Sequence, residues 1–495
     1  MPDHTPPPNT PVIVGVGEAI DRPQDLREVE PARLMEEALR SADRDSGARL
    51  LQRLEALDTI AELSWPYEDA AGVVSSMLGI APAHTENGPI GGESPIRYLH
   101  RAALRIQRGE IATAAICGAE AEYSVRRARR EGRVPDWTAQ SSRDALLRSG
   151  DRQRPIVRAL EASLPINVYP LYENAARAAW GQSLAEAQQE SELLWASLSA
   201  VASGRAASWQ QRTFTAAEIG RAGPSNRMIA WPYPKLMVAN PVVNQGAAIL
   251  LSSYETAIAA GADPARLIFL HGGAAANEPE DLLLRRDFTS SWAMQDVLAQ
   301  SIGAAAPAGF DLVELYSCFP VVPKLARRAL RLDPSIPISV TGGLTFFGAP
   351  LNNYMGHAIV AMTEALRGRG SGLGLLYGQG GYVTKHHAIT LSTKAPEAPL
   401  ADESIVPRAA PTFAGPVHEH HDGPAIIETF TILFDRDGEP RHGIVVARTP
   451  DGGRTIAKVP QGTAAIEKLL APQSEPVGMQ GRVVSSGADV PIFAC

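Results

Sequence analysis

Three cysteines, a histidine cluster and a run of arginines are the residues of this 495-residue chain whose types suggest chemistry at first sight. Cys117, Cys318 and Cys495 are too few and too far apart for a disulfide framework or a zinc site, and they suit a reducing cytoplasm. Cys117 lies in an apolar run that reads as a core strand, so its thiol is a packing group, and Cys495 ends the chain. His418, Glu419, His420 and His421 invite a metal, but no carboxylate or cysteine stands at a fixed spacing, so a solvated stretch and no metal are expected. The basic run "RRARREGR", Arg126 to Arg133, forms either a solvated face or a patch for an anionic ligand.

The elements that would position such residues follow a strand–helix–strand rhythm. "PVIVGVG" from Pro11 is a short β-branched run closed by glycine and predicts a buried strand. Pro31–Ser41 has helical spacing, and "LDTIAEL" from Leu57 predicts a second strand. Ile96, Leu99, Ala103 and Ile106 share one helical face, and "IATAAICGAEAE" directly after them reads as a strand. This order implies a mostly parallel sheet carrying helices. From Tyr123 to about Tyr233 the pattern breaks into a polar, tryptophan-containing stretch with helices expected at 171–180 and 183–202. The α/β pattern resumes at Asn244 and continues to about Lys394, ending in two strands around a glycine turn. Beyond a Pro/Ala/Glu-rich linker, short alternating strands predict a small antiparallel β-barrel of OB type.

Bulk composition limits the function. With 45% hydrophobic and 20% charged residues the chain supports large globular cores. A net charge of -8 argues against general nucleic-acid binding and against an anionic membrane surface. The polar, proline-rich stretch from Met1 to Pro11 lacks the apolar core of a signal peptide, and no run of eighteen apolar residues suggests a membrane span.

Five ordered motifs then carry a resemblance. "GGESPIRYLHRAALRIQRGEIATAAICGAEAE" follows the thiolase-superfamily pattern around the nucleophile, with Ser94, Gln107, Gly109, Glu110, Gly118 and Glu120 on its landmarks. "NPVVNQGAAILLSS", "VELYSCFP", "GGLTFFGAPL" and "LLYGQGG" resemble the later motifs in order, over roughly residues 10–394. The chain is thus similar to the thiolase superfamily, which includes the sterol-carrier-protein thiolases. The resemblance implies an α/β fold with a five-layered αβαβα core of two similar halves: residues 1–260 with a loop-domain insertion at about 123–235, then 261–400, then the additional barrel at 401–495. It implies acyl-CoA, hence coenzyme A, as ligand, with the basic run as one candidate contact for its phosphates. Thiolases usually dimerise; here a monomer or a homodimer is expected.

The same alignment removes the chemistry. A thiolase carries its acyl group on a thiolate, and that position is Gly92. The family histidine is Ala349, the second cysteine falls at Tyr377, and the residue that helps hold a water falls at Tyr316. Tyr316 and Tyr377 are candidate hydrogen-bond donors or general acids, and neither is an acyl carrier. His357 is a candidate substitute base or a structural residue, Asn352 and Asn353 are expected to cap the helix that bears it, and Cys318 aligns with a structural cysteine. Three functions follow: an acyl-CoA-binding protein of the acetyl-CoA acetyltransferase class without its catalytic set, a retro-aldolase on a β-hydroxyacyl-CoA using tyrosines, or a non-catalytic scaffold.

Overall fold

The computed structural model describes residues 5–141, 148–302, 309–402, 404, 412–485 and 490–495. The first half contains β1 (Pro11–Ile20), α1 (Pro31–Ser46), β2 (Ala56–Thr59), α2 (Ala70–Leu78), β3 (His84–Asn87), α3 (Ser94–Gln107) and β4 (Thr113–Ala121). The insertion supplies α4 (Glu122–Arg130), α5 (Pro155–Ala159), α6 (Pro165–Ala179), α7 (Leu184–Ser203), α8 (Ala216–Gly220), β5 (Met228–Ala230) and β6 (Tyr233–Pro234). β7 (Asn244–Ser253) and α9 (Tyr254–Ala259) close the first half. The second half runs through β8 (Ile268–Asn277), α10 (Trp292–Ile302), β9 (Leu312–Leu315), α11 (Val321–Leu330), α12 (Tyr354–Arg369), β10 (Leu373–Gly380) and β11 (Lys385–Ser392).

These strands form one nine-stranded sheet, β3-β2-β4-β7-β1-β8-β11-β10-β9. Its two ends repeat each other. β2-β4-β7-β1 has one parallel pair followed by two antiparallel pairs, and β9-β10-β11-β8 has the same order and the same senses. The halves meet where β1 pairs β8 at Val12↔Phe269 and Ile13↔Ile268. α3 and α12 pack on each other and on strands of both halves, with α1 outside one half and α10 outside the other. This is the thiolase-like αβαβα layering. α1 sits close because Gly15 and Gly17 of β1 face it: a Cβ there would lie 2.1 Å from Ala42 O and 2.3 Å from Ala38 O. α1 itself opens on Pro31 and ends at Gly47, whose φ of 66° provides the left-handed cap.

The C-terminal elements are β12 (Val417–His418), β13 (Gly423–Phe434), β14 (Pro440–Arg448), β15 (Arg454–Pro460), α13 (Ala464–Leu470), β16 (Gln480–Val484) and β17 (Ile492–Ala494). β13, β14, β15, β17 and β16 close a five-stranded barrel around Ile427, Phe430, Val445, Ala457 and Phe493. It is antiparallel except at β15–β17, a parallel pair at Lys458↔Ile492. The insertion joins the barrel sheet. β5 extends the barrel sheet at Leu433↔Ala230, and Trp231 N donates to Ile432 O at 2.8 Å. Among the described residues no helix is long and apolar enough to cross a membrane.

Candidate functional site

The loop between β3 and α3 places Gly92 between the two halves. Gly91 N donates to Asn352 Oδ1 at 3.1 Å, and Asn352 Nδ2 donates to Ala61 O at 2.7 Å. Asn353 Nδ2 donates to Gly118 O at 2.5 Å. Neither asparagine caps α12 with its side chain; instead they pin the Gly92 loop and β4 to the start of that helix. A Cβ at Gly92 would stand 2.4 Å from Gln379 O, 2.5 Å from Tyr316 Oη and 2.8 Å from Tyr316 Cζ. Tyr316 therefore fills the space in which a side chain at residue 92 would stand.

Tyr316 follows β9 and is held on several sides. Its N–H donates to Tyr377 O at 3.0 Å, and its ring lies edge-on to Tyr354 at 5.8 Å. Tyr354 in turn donates to the buried Glu314 at 2.7 Å, and Glu314 also accepts from Ser339 Oγ and Val340 N at 2.8 Å each. Among the described residues no group hydrogen-bonds to the Tyr316 hydroxyl. Burial raises its pKa well above the ordinary value, so it stays a neutral O–H donor.

Beside it lies a residue the sequence reading passed over. Glu93 is buried, and its carboxyl occupies the space above two glycines: a Cβ at Gly380 would be 2.0 Å from its Oε2, and one at Gly91 2.5 Å from either oxygen. Among the described residues Oε2 has no hydrogen-bond partner, and burial raises the pKa of the group. The sequence signal was a carboxylate in an otherwise glycine-rich loop, at the step after the nucleophile position.

The two candidate tyrosines do not present their hydroxyls at one point. Side chains alternate along β10, and the position that faces Glu93, Ile96 and Met355 is Gly378. Tyr377 faces the other way, where its hydroxyl meets His386 Nδ1 at 2.7 Å and its ring stacks on that imidazole. His386 Nε2 lies 3.2 Å from both Ser291 Oγ and Val383 O, Ser291 donates to Glu278 at 2.6 Å, and Glu278 pairs with the buried Arg285 at 2.6 Å. Burial lowers the His386 pKa to about 4, so the ring is neutral. This network assigns Tyr377 as donor to Nδ1 and the Nε2–H as donor beyond it.

Ala349 is buried, its N–H donating to Asn240 O at 2.9 Å, and its methyl group offers no base. His357 is fully buried on α12 and pairs through Nδ1 with Glu18 of β1 at 2.5 Å. Glu18 also meets Arg205 at 3.2 Å, and the His357 ring packs on Phe347 at 5.0 Å. Its pairing thus runs to Glu18 of β1 and its ring contact to Phe347 before α12, and among the described residues no hydrogen bond, ion pair or ring contact joins it to Gly92, Tyr316 or Glu93. Cys318 Sγ accepts from Gln379 Nε2 at 3.4 Å, and burial pushes its pKa up to about 12. Cys117 is buried in β4, with its thiol pushed higher still by burial. Neither supplies a thiolate at neutral pH.

The basic run forms α4 and the turn after it, and much of its charge is matched. Arg126 pairs with Glu122 at 2.6 Å, Arg127 with Glu131 at 2.9 Å, and Arg133 with Glu28 at 2.8 Å. In the histidine cluster His418 pairs with Asp451 at 2.8 Å, and His421 Nε2 donates to Pro424 O at 3.1 Å. Among the described residues no three His, Cys, Asp or Glu side chains group as a metal site. What remains at the interface of the halves is a hydroxyl donor, a buried carboxyl and a glycine-lined wall. Such a set can polarise a carbonyl or move a proton, and it cannot carry an acyl group.

Residues 407–488 match the family described as the additional C-terminal domain of thiolase-like protein type 1. Over the whole chain the structure is similar to a monomeric SCP2-thiolase-like protein type 1 from Mycobacterium smegmatis. The TM-score is 0.82 at 27% identity, covering 99% of this chain and 100% of that one. An Ltp2–ChsH2(DUF35) aldolase aligns with a TM-score of 0.59 at 16% identity over 77% of this chain and 98% of its own. The acetyl-CoA acetyltransferase of Syntrophomonas wolfei aligns with 0.56 at 14% identity over 78% and 100%. The last two likenesses concern the fold alone. No curated protein matches the sequence.

Proposed function

We propose that this chain, thiolase-like in fold and carrying the additional C-terminal domain of thiolase-like protein type 1, binds an acyl-CoA without forming an acyl-enzyme. The observation that carries the reading is the packing at Gly92, where the Tyr316 hydroxyl and the Gln379 carbonyl leave no room for a nucleophilic side chain. Coenzyme A as ligand is supported by the fold it shares with an acetyl-CoA acetyltransferase. Calorimetric titration with free coenzyme A and with acetyl-CoA, followed by intact-mass analysis, tests both parts. Saturable heat with unchanged protein mass is expected. A stable acetyl adduct on any cysteine would overturn the mechanism, and no heat with either ligand would favour a scaffold without the cofactor.

One observation favours a second reading, carbon–carbon cleavage of a β-hydroxyacyl thioester. Among the described residues the Tyr316 hydroxyl has no hydrogen-bond partner, as a donor awaiting a substrate oxygen would have none, and the buried Glu93 carboxyl is its neighbour. In such a cleavage the Cα–Cβ bond breaks, the β-hydroxyl loses its proton to become a carbonyl, and Cα of the released thioester takes a proton. The same fold occurs in the Ltp2–ChsH2(DUF35) aldolase. If Tyr316→Phe and Glu93→Gln both cleave such a thioester at the parental rate, this reading is wrong. We further propose that the chain is a monomer. The edge strand β3, His-Thr-Glu-Asn, is polar and exposed along its length, which disfavours pairing with a second sheet.

A further inference from the structure

A concavity of about 530 Å³ lies where α3 meets β2 and β3. Asp58 of β2 lines it, and only 4% of that residue is exposed. Among the described residues the Asp58 carboxyl has no hydrogen bond and no ion pair, and its oxygens are not sealed from the concavity. Its register partner on β3 is Glu86, so the two carboxyls stand side by side on one face of the sheet and repel each other. Burial first, and then Glu86, push the Asp58 pKa up to about 7. Glu86 is better satisfied: it accepts from Tyr98 Oη at 2.7 Å and lies 4.0 Å from Arg101. The helix side of the concavity is basic, with Arg101 and Arg105 one turn apart on α3 and Arg108 at its C-cap. Arg108 holds Asp402 at 2.8 Å, whereas the carboxylate that Arg105 meets among the described residues is Glu110, at 3.8 Å. The Arg105 charge favours the ionised form of Asp58, yet among the described residues no ion pair joins the two.

We infer that this concavity is a binding site for a small zwitterion of the α-amino acid class. The ammonium group donates to Asp58 and Glu86, and the carboxylate accepts from the Arg105 guanidinium. One molecule thereby bridges two opposite charges that the protein leaves unjoined. A bare anion is disfavoured by the adjacent carboxyls on the strand side, and a bare amine by the guanidiniums on the helix side. An apolar molecule would leave the buried Asp58 carboxyl unmet. The inference is independent of the acyl-CoA reading, since it uses none of the residues around Gly92.

The test is a calorimetric titration of the full chain at pH 8, where Asp58 is ionised. L-Alanine is the probe. Ethylamine, which carries only the cation, and propionate, which carries only the anion, are the comparisons. The expected result is saturable heat with L-alanine and binding at least roughly tenfold weaker for either half-molecule, since each forfeits one set of charged hydrogen bonds. Asp58→Asn and Arg105→Gln should each weaken alanine binding by a similar factor. Asp58→Asn is nearly isosteric and removes a buried charge, so it keeps the fold, and the half-molecule comparison needs no variant at all. Absence of saturable heat with L-alanine up to ~10 mM would overturn the proposal and leave a groove that holds water. Ethylamine or propionate binding as tightly as alanine, or alanine affinity unchanged in both variants, would overturn it as well.

Discussion

The hydroxyl of Tyr316 stands 2.5 Å from the point where a Cβ on Gly92 would begin. The two residues therefore determine each other: the tyrosine fits because residue 92 has no side chain, and a side chain at 92 requires the tyrosine to leave. Gly92→Ala is expected to destabilise the protein by about 1–3 kcal/mol through overpacking, read from the shift of the urea unfolding midpoint. Part of the strain comes from the Gln379 backbone carbonyl at 2.4 Å, so adding Tyr316→Ala should recover some of the loss, with a coupling energy that a double-mutant cycle resolves. Strict additivity of the two substitutions would refute the relationship.

Restoring the thiol does not restore a thiolase. Gly92→Cys still lacks an imidazole at Ala349, and His357 engages Glu18 instead. Rapid-quench assays with acetyl-CoA should show no burst of free coenzyme A.

The native thiols should be inert where they are buried. With Cys318 shifted to about 12 and Cys117 higher, iodoacetamide at pH 8 should modify Cys495 alone in the folded protein and all three cysteines in urea. Peptide mapping decides this, and modification of Cys318 at the rate of a free thiol would contradict its placement.

Lys324 and Glu173 form an ion pair with almost no exposure, shared with the Tyr233 hydroxyl at 2.6 Å from Glu173. Lys324→Met leaves that carboxylate without its cation and should cost about 3–5 kcal/mol. The unfolding midpoint of the full chain measures it.

His386 is neutral in the fold, with a pKa of about 4 against 6.5 for a free imidazole. Between those values the unfolded chain binds the extra proton, so this residue's contribution to stability is complete above pH 6.5 and is lost as pH falls toward 4. The loss amounts to as much as ~3 kcal/mol. His387 titrates in the same direction, whereas Asp58, Glu62 and Glu120, raised by burial to about 7, 7 and 8, act in the opposite sense. The observable is thus a difference. His386→Gln should flatten the dependence of the unfolding midpoint between pH 6.5 and 4.5 relative to the parent, and an unchanged slope would show that the ring is charged or exposed.

The scaffold was legible because it is written locally. Glycine-bounded apolar runs and amphipathic helices define β1, α1, α3, β4, β10 and β11, and short motifs carry the doubling into halves. What escaped depends on partners far away in sequence. β3 is polar and becomes a strand only by pairing β2. α6 starts at Pro165 and continues through Pro170, a residue that reads as a boundary but lies early in the helix, where few intrahelical bonds are lost. Asn352 and Asn353 look like caps, but their donors meet carbonyls in the first half. At the site, the alignment identified what Gly92 and Ala349 lack. The facing of Tyr377 turned on strand parity, and the carboxylate of Glu93 in its glycine-rich loop gains meaning only from its place against Gly380.

The strand pairing of β5 with β13 makes the barrel an integral part of this molecule. Asn174 donates to Phe430 O at 2.9 Å, and Arg454 of the barrel donates to Arg285 O at 2.6 Å and to Leu283 O at 2.8 Å in the second half. Cutting the peptide between β11 and β12 would therefore yield two fragments that stay associated. Deleting the barrel outright would expose a raw sheet edge and strand the insertion helices. Because both parts belong to one polypeptide, they are fixed at a one-to-one ratio, and their assembly does not depend on how much of either part the cell makes.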